Sequence, residues 1–125
     1  MKRTALFSAA SLLVSSLAWA GLSASRETQV DLVARKASGS LHATRVSADS
    51  AQYITCIVSV TPGSTGSVRC DARDAEAERL QCVSADAAVV RAALGISESS
   101  FVSFSCDESL SLSSLVVNNG SMWLP

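Results

Sequence analysis

Four cysteines lie in segments where apolar and polar residues alternate, and this combination limits the possible folds more than any other feature. The gaps between successive cysteines are 13, 11 and 23 residues, with no CxxC pair and no adjacent histidine. A zinc site or a thioredoxin-type redox motif is therefore disfavoured. In an oxidising compartment, an even number of cysteines predicts two disulfides, and the spacing leaves all three pairings open. The cysteines are Cys56, Cys70, Cys82 and Cys106.

The first twenty residues have the layout of a secretory signal peptide. Lys2 and Arg3 precede an apolar run over residues 5–17, and the small-x-small triplet Ala18-Trp19-Ala20 matches the pattern that signal peptidase recognises. Cleavage after Ala20 leaves 105 of the 125 residues, which is one small domain. We expect this domain to be periplasmic or extracellular. No later stretch reaches the roughly 18–20 apolar residues of a membrane helix, so we expect no transmembrane segment in the mature chain.

The charge balance of the mature part argues against a nucleic-acid partner. Cleavage after Ala20 removes two basic residues and leaves 8 basic and 11 acidic side chains. Proteins that bind nucleic acids or anionic membranes need clustered positive charge. His42 is the single histidine, and no phosphate loop, calcium loop or HExxH motif occurs. The sequence therefore predicts no cofactor and no metal.

Three alternating segments predict consecutive strands over residues 52–60, 67–73 and 79–83. Pro62-Gly63-Ser64 is a turn signal, and residues 74–78 form a polar connection. If the two hairpins turn around Gly63 and Glu76, residues at equal distances before and after each turn lie opposite each other on neighbouring strands. Cys56, Cys70 and Cys82 would then form one row across the buried face of the sheet.

The remaining segments complete a small α+β domain. Residues 21–37 are expected to be loosely ordered, with an edge strand or a nascent helix over 28–34, and residues 39–47 are expected to form a strand. A helix is predicted between an N-cap at Ser84 and a stop at Gly95, with Asp86 in its first turn. Residues 101–106 and 112–118 are expected to form a final hairpin. The predicted fold over residues 38–125 is a disulfide-stabilised antiparallel sheet of five to six strands with one helix packed on one face.

From about residue 37 onward, the chain resembles a group of small secreted bacterial proteins that have no established activity. The resemblance lies in the order and spacing of short segments over most of the mature chain. The group places an aromatic residue at the position of Cys106 and its fourth cysteine near Leu112. In a hairpin that turns at Glu108 or Ser109, positions 106 and 112 lie close together. The resemblance implies secretion and this fold, and it implies no chemistry. The segments are Gly39–Ala43, Ser47–Asp49, Tyr53-Ile54-x-Cys56, Cys70-x-Ala72-Arg73-Asp74, Cys82, Ala88–Ala93 and Ser100-Phe101-Val102-x-Phe104-x-x-Asp107.

Candidate interaction residues lie on the faces of the predicted strands that point away from the core. Arg69, Asp71 and Arg73 share one such face, either as a recognition patch or as solvated ion pairs that also involve Arg79. Tyr53 is expected to face outward. Trp123 either anchors a partner or folds back to cover a sheet edge.

These features favour a binding domain over an enzyme. A Ser–His–Asp mechanism would have to use His42, and no G-x-S-x-G motif occurs. We expect a small exported interaction domain without catalytic activity, such as an inhibitor or an accessory protein at the bacterial envelope. Its expected partner is a protein or a cell-wall glycan. The alternatives are a structural or stress-related envelope protein and a minimal hydrolase that uses His42.

Overall fold

Two antiparallel sheets form the framework of the computed structural model, which describes residues 25–124. One sheet has four strands in the order β1-β2-β6-β7, and the other has three in the order β3-β4-β5. The α+β class is therefore confirmed, whereas the prediction of one sheet of five to six strands is wrong. The elements are β1 (Gln29–Asp31), β2 (Lys36–Ser40), α1 (Leu41–Arg45), β3 (Tyr53–Ser59), β4 (Ser67–Arg73), β5 (Arg79–Ser84), α2 (Ala87–Ala93), β6 (Phe101–Cys106), β7 (Leu112–Asn118) and a 3₁₀ turn (Ser121–Trp123).

The chain leaves the first sheet at Ser40, and this exit explains the division into two sheets. The strand predicted over residues 39–47 is wrong, because β2 ends at Ser40 and α1 begins at Leu41. The Ser40 hydroxyl caps the helix by accepting a hydrogen bond from the Ala43 N–H at 3.3 Å. The helix carries the chain away from β2, so β3 starts a separate sheet.

Part of the segment that we expected to be loosely ordered forms a hairpin. Within residues 21–37, Gln29–Asp31 and the first residues of Lys36–Ser40 pair as antiparallel strands. The Asp31 carboxylate accepts hydrogen bonds from the backbone N–H groups of Val33 and Ala34, which closes the turn. The expectation of an edge strand near residues 28–34 is therefore met by β1. The expected signal peptide, residues 1–20, lies outside the described residues.

The three-stranded sheet follows the predicted register. The turns centred on Gly63 and Glu76 place Cys56 opposite Cys70, and Cys70 opposite Cys82. The predicted cysteine row is therefore confirmed. β4 has the predicted bounds, while β3 is one residue shorter at each end than predicted and β5 extends to Ser84.

The core lies between the two sheets, where α2 also packs. Its largest fully buried side chain is Phe104, accompanied by Val68 and Val102. The N-cap of α2 is Asp86 and not Ser84 as predicted, since the Asp86 carboxylate accepts hydrogen bonds from the N–H groups of two first-turn residues. The predicted final hairpin is confirmed, with Cys106 opposite Leu112.

One disulfide lies within a sheet and the other connects the two sheets. Cys56–Cys70 links β3 to β4 within the three-stranded sheet. Cys82–Cys106 links β5 to β6 and so joins one sheet to the other. The prediction of two disulfides is confirmed, and the pairing that the sequence left open is resolved.

Candidate functional site

The surface with the clearest chemical character is the side of the three-stranded sheet that points away from the core. Side chains alternate across a strand, so the odd-numbered residues of β3, β4 and β5 share this side. We call it the outer face. The register arranges most of its residues in three rows, namely Tyr53-Arg73-Arg79, Thr55-Asp71-Gln81 and Ile57-Arg69-Val83.

Asp71 is the centre of a hydrogen-bond network on the outer face. The Arg79 guanidinium binds both carboxylate oxygens of Asp71, with the Nε–Oδ1 distance at 2.9 Å. The Tyr53 hydroxyl donates to the same Oδ1 at 3.1 Å. Asp71 is 6% exposed because these neighbours cover it. The expectation that Asp71 pairs with an arginine of this face is met by Arg79.

The hydrogen-bond network shifts the pKa values of Asp71 and Tyr53 in the directions that keep its hydrogen bonds at neutral pH. The hydrogen bonds from Arg79 lower the pKa of the Asp71 carboxyl below its usual value, against the opposing effect of burial. Burial raises the pKa of the Tyr53 hydroxyl, and its hydrogen bond to Asp71 adds to that increase. Asp71 is therefore ionised and Tyr53 is protonated near pH 7.

The outer face carries an excess of positive charge in a domain that is acidic as a whole. Residues 25–124 contain eight basic and eleven acidic side chains, not counting His42. Three arginines and one aspartate are the charged residues of β3, β4 and β5. Asp71 is already bound by Arg79, and among the described residues neither Arg69 nor Arg73 takes part in a salt bridge. Two arginines on this face therefore have no salt-bridge partner within residues 25–124.

Exposed apolar residues lie next to one of these arginines. Ile57 is 44% exposed and Val83 is 49% exposed, and the register places them on either side of Arg69. Together with neighbouring serines they line a depression of about 270 Å³. Ile57 and Val83 were not among the predicted interaction residues, although their odd positions in alternating strands place them on this face.

Trp123 is not part of any exposed surface. It is 7% exposed and stacks on Phe101, with ring centroids 4.7 Å apart. The interpretation of Trp123 as an exposed anchor is therefore wrong, and the alternative that it folds back onto a sheet fits the structure. The turn Ser121–Trp123 returns the chain against β6, and burial of the indole on Phe101 stabilises that return.

His42 lies on α1, away from the outer face. It is half-buried beside a hollow of about 220 Å³ that Leu41, Arg45 and Glu98 also line. No group of three or more His, Cys, Asp or Glu side chains in residues 25–124 is arranged to hold a metal ion. In the same part of the chain, no helix combines the length and apolar character needed to cross a membrane.

Comparisons of the chain with models of protein families, with curated proteins and with solved structures find no match. The outer face must therefore be interpreted from its own geometry and charge.

Proposed function

We propose that this chain is a small exported interaction domain that binds an acidic region of a partner protein through its outer face. The observation that carries the proposal is that two arginines without a salt bridge share one side of a regular sheet with exposed apolar residues. Arginine and tyrosine are enriched at protein interfaces, and the outer face carries both. We further propose that the domain acts by binding and not by catalysis.

The network around Asp71 supports this function by fixing the surface before a partner arrives. Asp71 is held by Arg79 and Tyr53, so the surrounding side chains have a defined arrangement. Arg69 and Arg73 extend from the same rigid strand and present guanidinium groups that can each bind a carboxylate through two hydrogen bonds. A prearranged site loses less conformational entropy when it binds.

The setting supports an exported role. Two disulfides fit a protein that works in an oxidising compartment. Within such a compartment, an acidic partner suggests an enzyme that the domain inhibits or an envelope protein that it assists. A cell-wall glycan is the competing partner, and a neutral glycan would bind with little dependence on salt.

The test is capture of a partner by the oxidised domain, with charge-reversed variants as controls. The double variant Arg69→Glu/Arg73→Glu changes the outer face, and Arg91→Glu changes an exposed arginine on α2. We expect the unchanged domain and Arg91→Glu to retain one stoichiometric protein from the periplasm or culture medium, less strongly as salt is raised. The Arg69→Glu/Arg73→Glu variant should lose it. Equal retention by all three would contradict the proposal, and salt-independent retention of a glycan would identify the competing partner.

A further inference from the structure

Among residues 25–124, no strand other than β4 pairs with β3, so β3 forms an edge of the three-stranded sheet. β3 is the first strand in the order β3-β4-β5, and its seven residues pair with β4 without a bulge. A regular strand at a sheet edge presents a row of backbone N–H and C=O groups to its surroundings.

The geometry identifies which backbone groups point outward. The Cα atoms of Cys56 and Cys70 are 4.0 Å apart, and such a close antiparallel pair is one that exchanges no backbone hydrogen bonds. The N–H and C=O groups of Ile54, Cys56 and Val58 therefore point away from β4. The same alternation predicts that the N–H of Val83, on the β5 edge, points away from β4. This N–H does point outward, since it donates to the Leu110 carbonyl at 3.2 Å.

The sequence of β3 lacks the residues that usually prevent edge strands from pairing. Its sequence, YITCIVS, contains no charged residue, proline or glycine. The β1 edge has only three residues, and Leu110 occupies part of the β5 edge. Helix α2 packs against both β7 and β3, and α1 also packs against β3. Among residues 25–124, no hydrogen bond to a group outside the sheet involves the backbone of Ile54, Cys56 or Val58.

A small apolar cavity opens beside the same edge. Its volume is about 110 Å³, and Leu41, Ile54, Cys56, Ile96 and Val102 contribute to its lining. Apolar cavities of this order hold small hydrocarbon groups without water. A strand added next to β3 would direct alternate side chains to the core side, where this cavity lies, and the others to the outer face.

We propose that β3 binds an extended segment of the acidic partner as a fourth strand of the sheet. This inference rests on the proposed function and specifies how the partner is held. Side chains on one side of the segment are apolar, with one filling the cavity, and those on the other side are acidic and approach Arg69 and Arg73. A second copy of this chain fits less well, because pairing two β3 strands places two arginine-rich faces side by side. The backbone hydrogen bonds supply affinity and the alternating side chains supply specificity.

The probe is a synthetic eight-residue peptide of alternating valine and glutamate, and the control peptide alternates valine and lysine. Amide hydrogen exchange is measured by NMR on the oxidised domain, alone and with each peptide at millimolar concentration. The free domain should exchange the amides of Ile54, Cys56 and Val58 faster than those of Thr55 and Ile57. The valine–glutamate peptide should slow exchange at Ile54, Cys56 and Val58, and the valine–lysine peptide should leave it unchanged.

The variant Val58→Pro tests the backbone contact directly. It removes an outward N–H and leaves the hydrogen bonds to β4 intact, so the domain should remain folded, which its thermal unfolding curve checks. We expect Val58→Pro to weaken binding of the valine–glutamate peptide by about tenfold or more. N-methylation of alternate peptide residues should do the same without changing the protein.

The outcomes separate strand addition from the proposed function. If the peptide binds and Arg69→Glu/Arg73→Glu abolishes binding while the Ile54, Cys56 and Val58 amides exchange as before, strand addition is wrong and the outer face remains a binding site. If the edge amides are protected and Arg69→Glu/Arg73→Glu has no effect, strand addition holds and the arginine-based function is wrong. Failure of the peptide to bind would overturn strand addition. A concentration-dependent dimer that protects the edge amides would replace the partner with a second copy.

Discussion

Removal of the Cys82–Cys106 disulfide should destabilise the domain more than removal of Cys56–Cys70. A cross-link reduces the entropy of the unfolded chain by an amount that grows with the length of the loop it closes. The separation of 24 residues between Cys82 and Cys106 corresponds to about 3.5 kcal/mol, and the separation of 14 between Cys56 and Cys70 to about 3 kcal/mol.

Burial increases this difference. Cys82 is 1% exposed and Cys106 is 5% exposed, whereas Cys56 is only partly buried. Substitution of both cysteines by alanine also removes two buried sulfur atoms and leaves unfilled space, which lowers the free energy of unfolding by about 1 kcal/mol more. The Cys82→Ala/Cys106→Ala variant should therefore lose about 3.5–5 kcal/mol. A domain of this size has roughly 5–15 kcal/mol of stability, so the variant would remain folded only marginally.

The assay is urea unfolding of the oxidised proteins at pH 7 and 25 °C, followed by circular dichroism. The Cys56→Ala/Cys70→Ala variant is the matched control, because it removes the same atoms from a disulfide within one sheet. The reasoning would be refuted if the Cys82→Ala/Cys106→Ala variant lost less free energy of unfolding than this control, or less than about 1.5 kcal/mol.

Three further predictions concern stability. Asp86→Ala should lower the free energy of unfolding by about 1 kcal/mol through loss of the α2 cap, and Asp86→Asn should lower it much less; equal losses in thermal unfolding would contradict this. Gly39→Ala should cost about 1–3 kcal/mol in the same assay, because its Cβ would lie 3.0 Å from the Thr28 Cα; an unchanged melting temperature would show that the backbone yields. Folding lowers the pKa of Asp71, so its stabilising contribution is complete above about pH 5, begins to be lost near the usual carboxyl pKa of about 4, and is lost as the pH falls further through the lowered pKa. Urea unfolding of Asp71→Asn between about pH 5 and 2 should show a shallower loss of stability than the unchanged protein, and parallel curves would contradict this.

The sequence predicted structure well wherever one local signal decided the outcome. Strict alternation and a Pro-Gly turn were enough to place β4 and the cysteine row, because both depend on residues close in the chain. The division into two sheets was missed, because β2 pairs with β6 across more than sixty residues and nothing local reports that contact. The one local indication that the strand ends was Ser40, because serine is a common helix N-cap and it lies inside the segment predicted to be a strand.

The candidate site shows the same division between local and distant information. Arg69, Asp71 and Arg73 were placed correctly on one face by their parity in β4. The burial of Asp71 and the stacking of Trp123 on Phe101 arise from contacts between distant segments. Alternation shows which way a side chain points, and it does not show what will cover that side chain.

The cysteine row has a consequence for how the chain matures. Cys70 has a cysteine opposite it on each neighbouring strand, so register alone permits it to pair with Cys56 or with Cys82. Both hairpins are local, so both pairings of Cys70 are accessible without the distant contact between β2 and β6. Oxidation of Cys56–Cys70 within the first hairpin leaves Cys82 free for Cys106. A bond between Cys70 and Cys82 would instead leave Cys56 and Cys106 without their native partners, so the native pairing requires Cys70 to bond to Cys56.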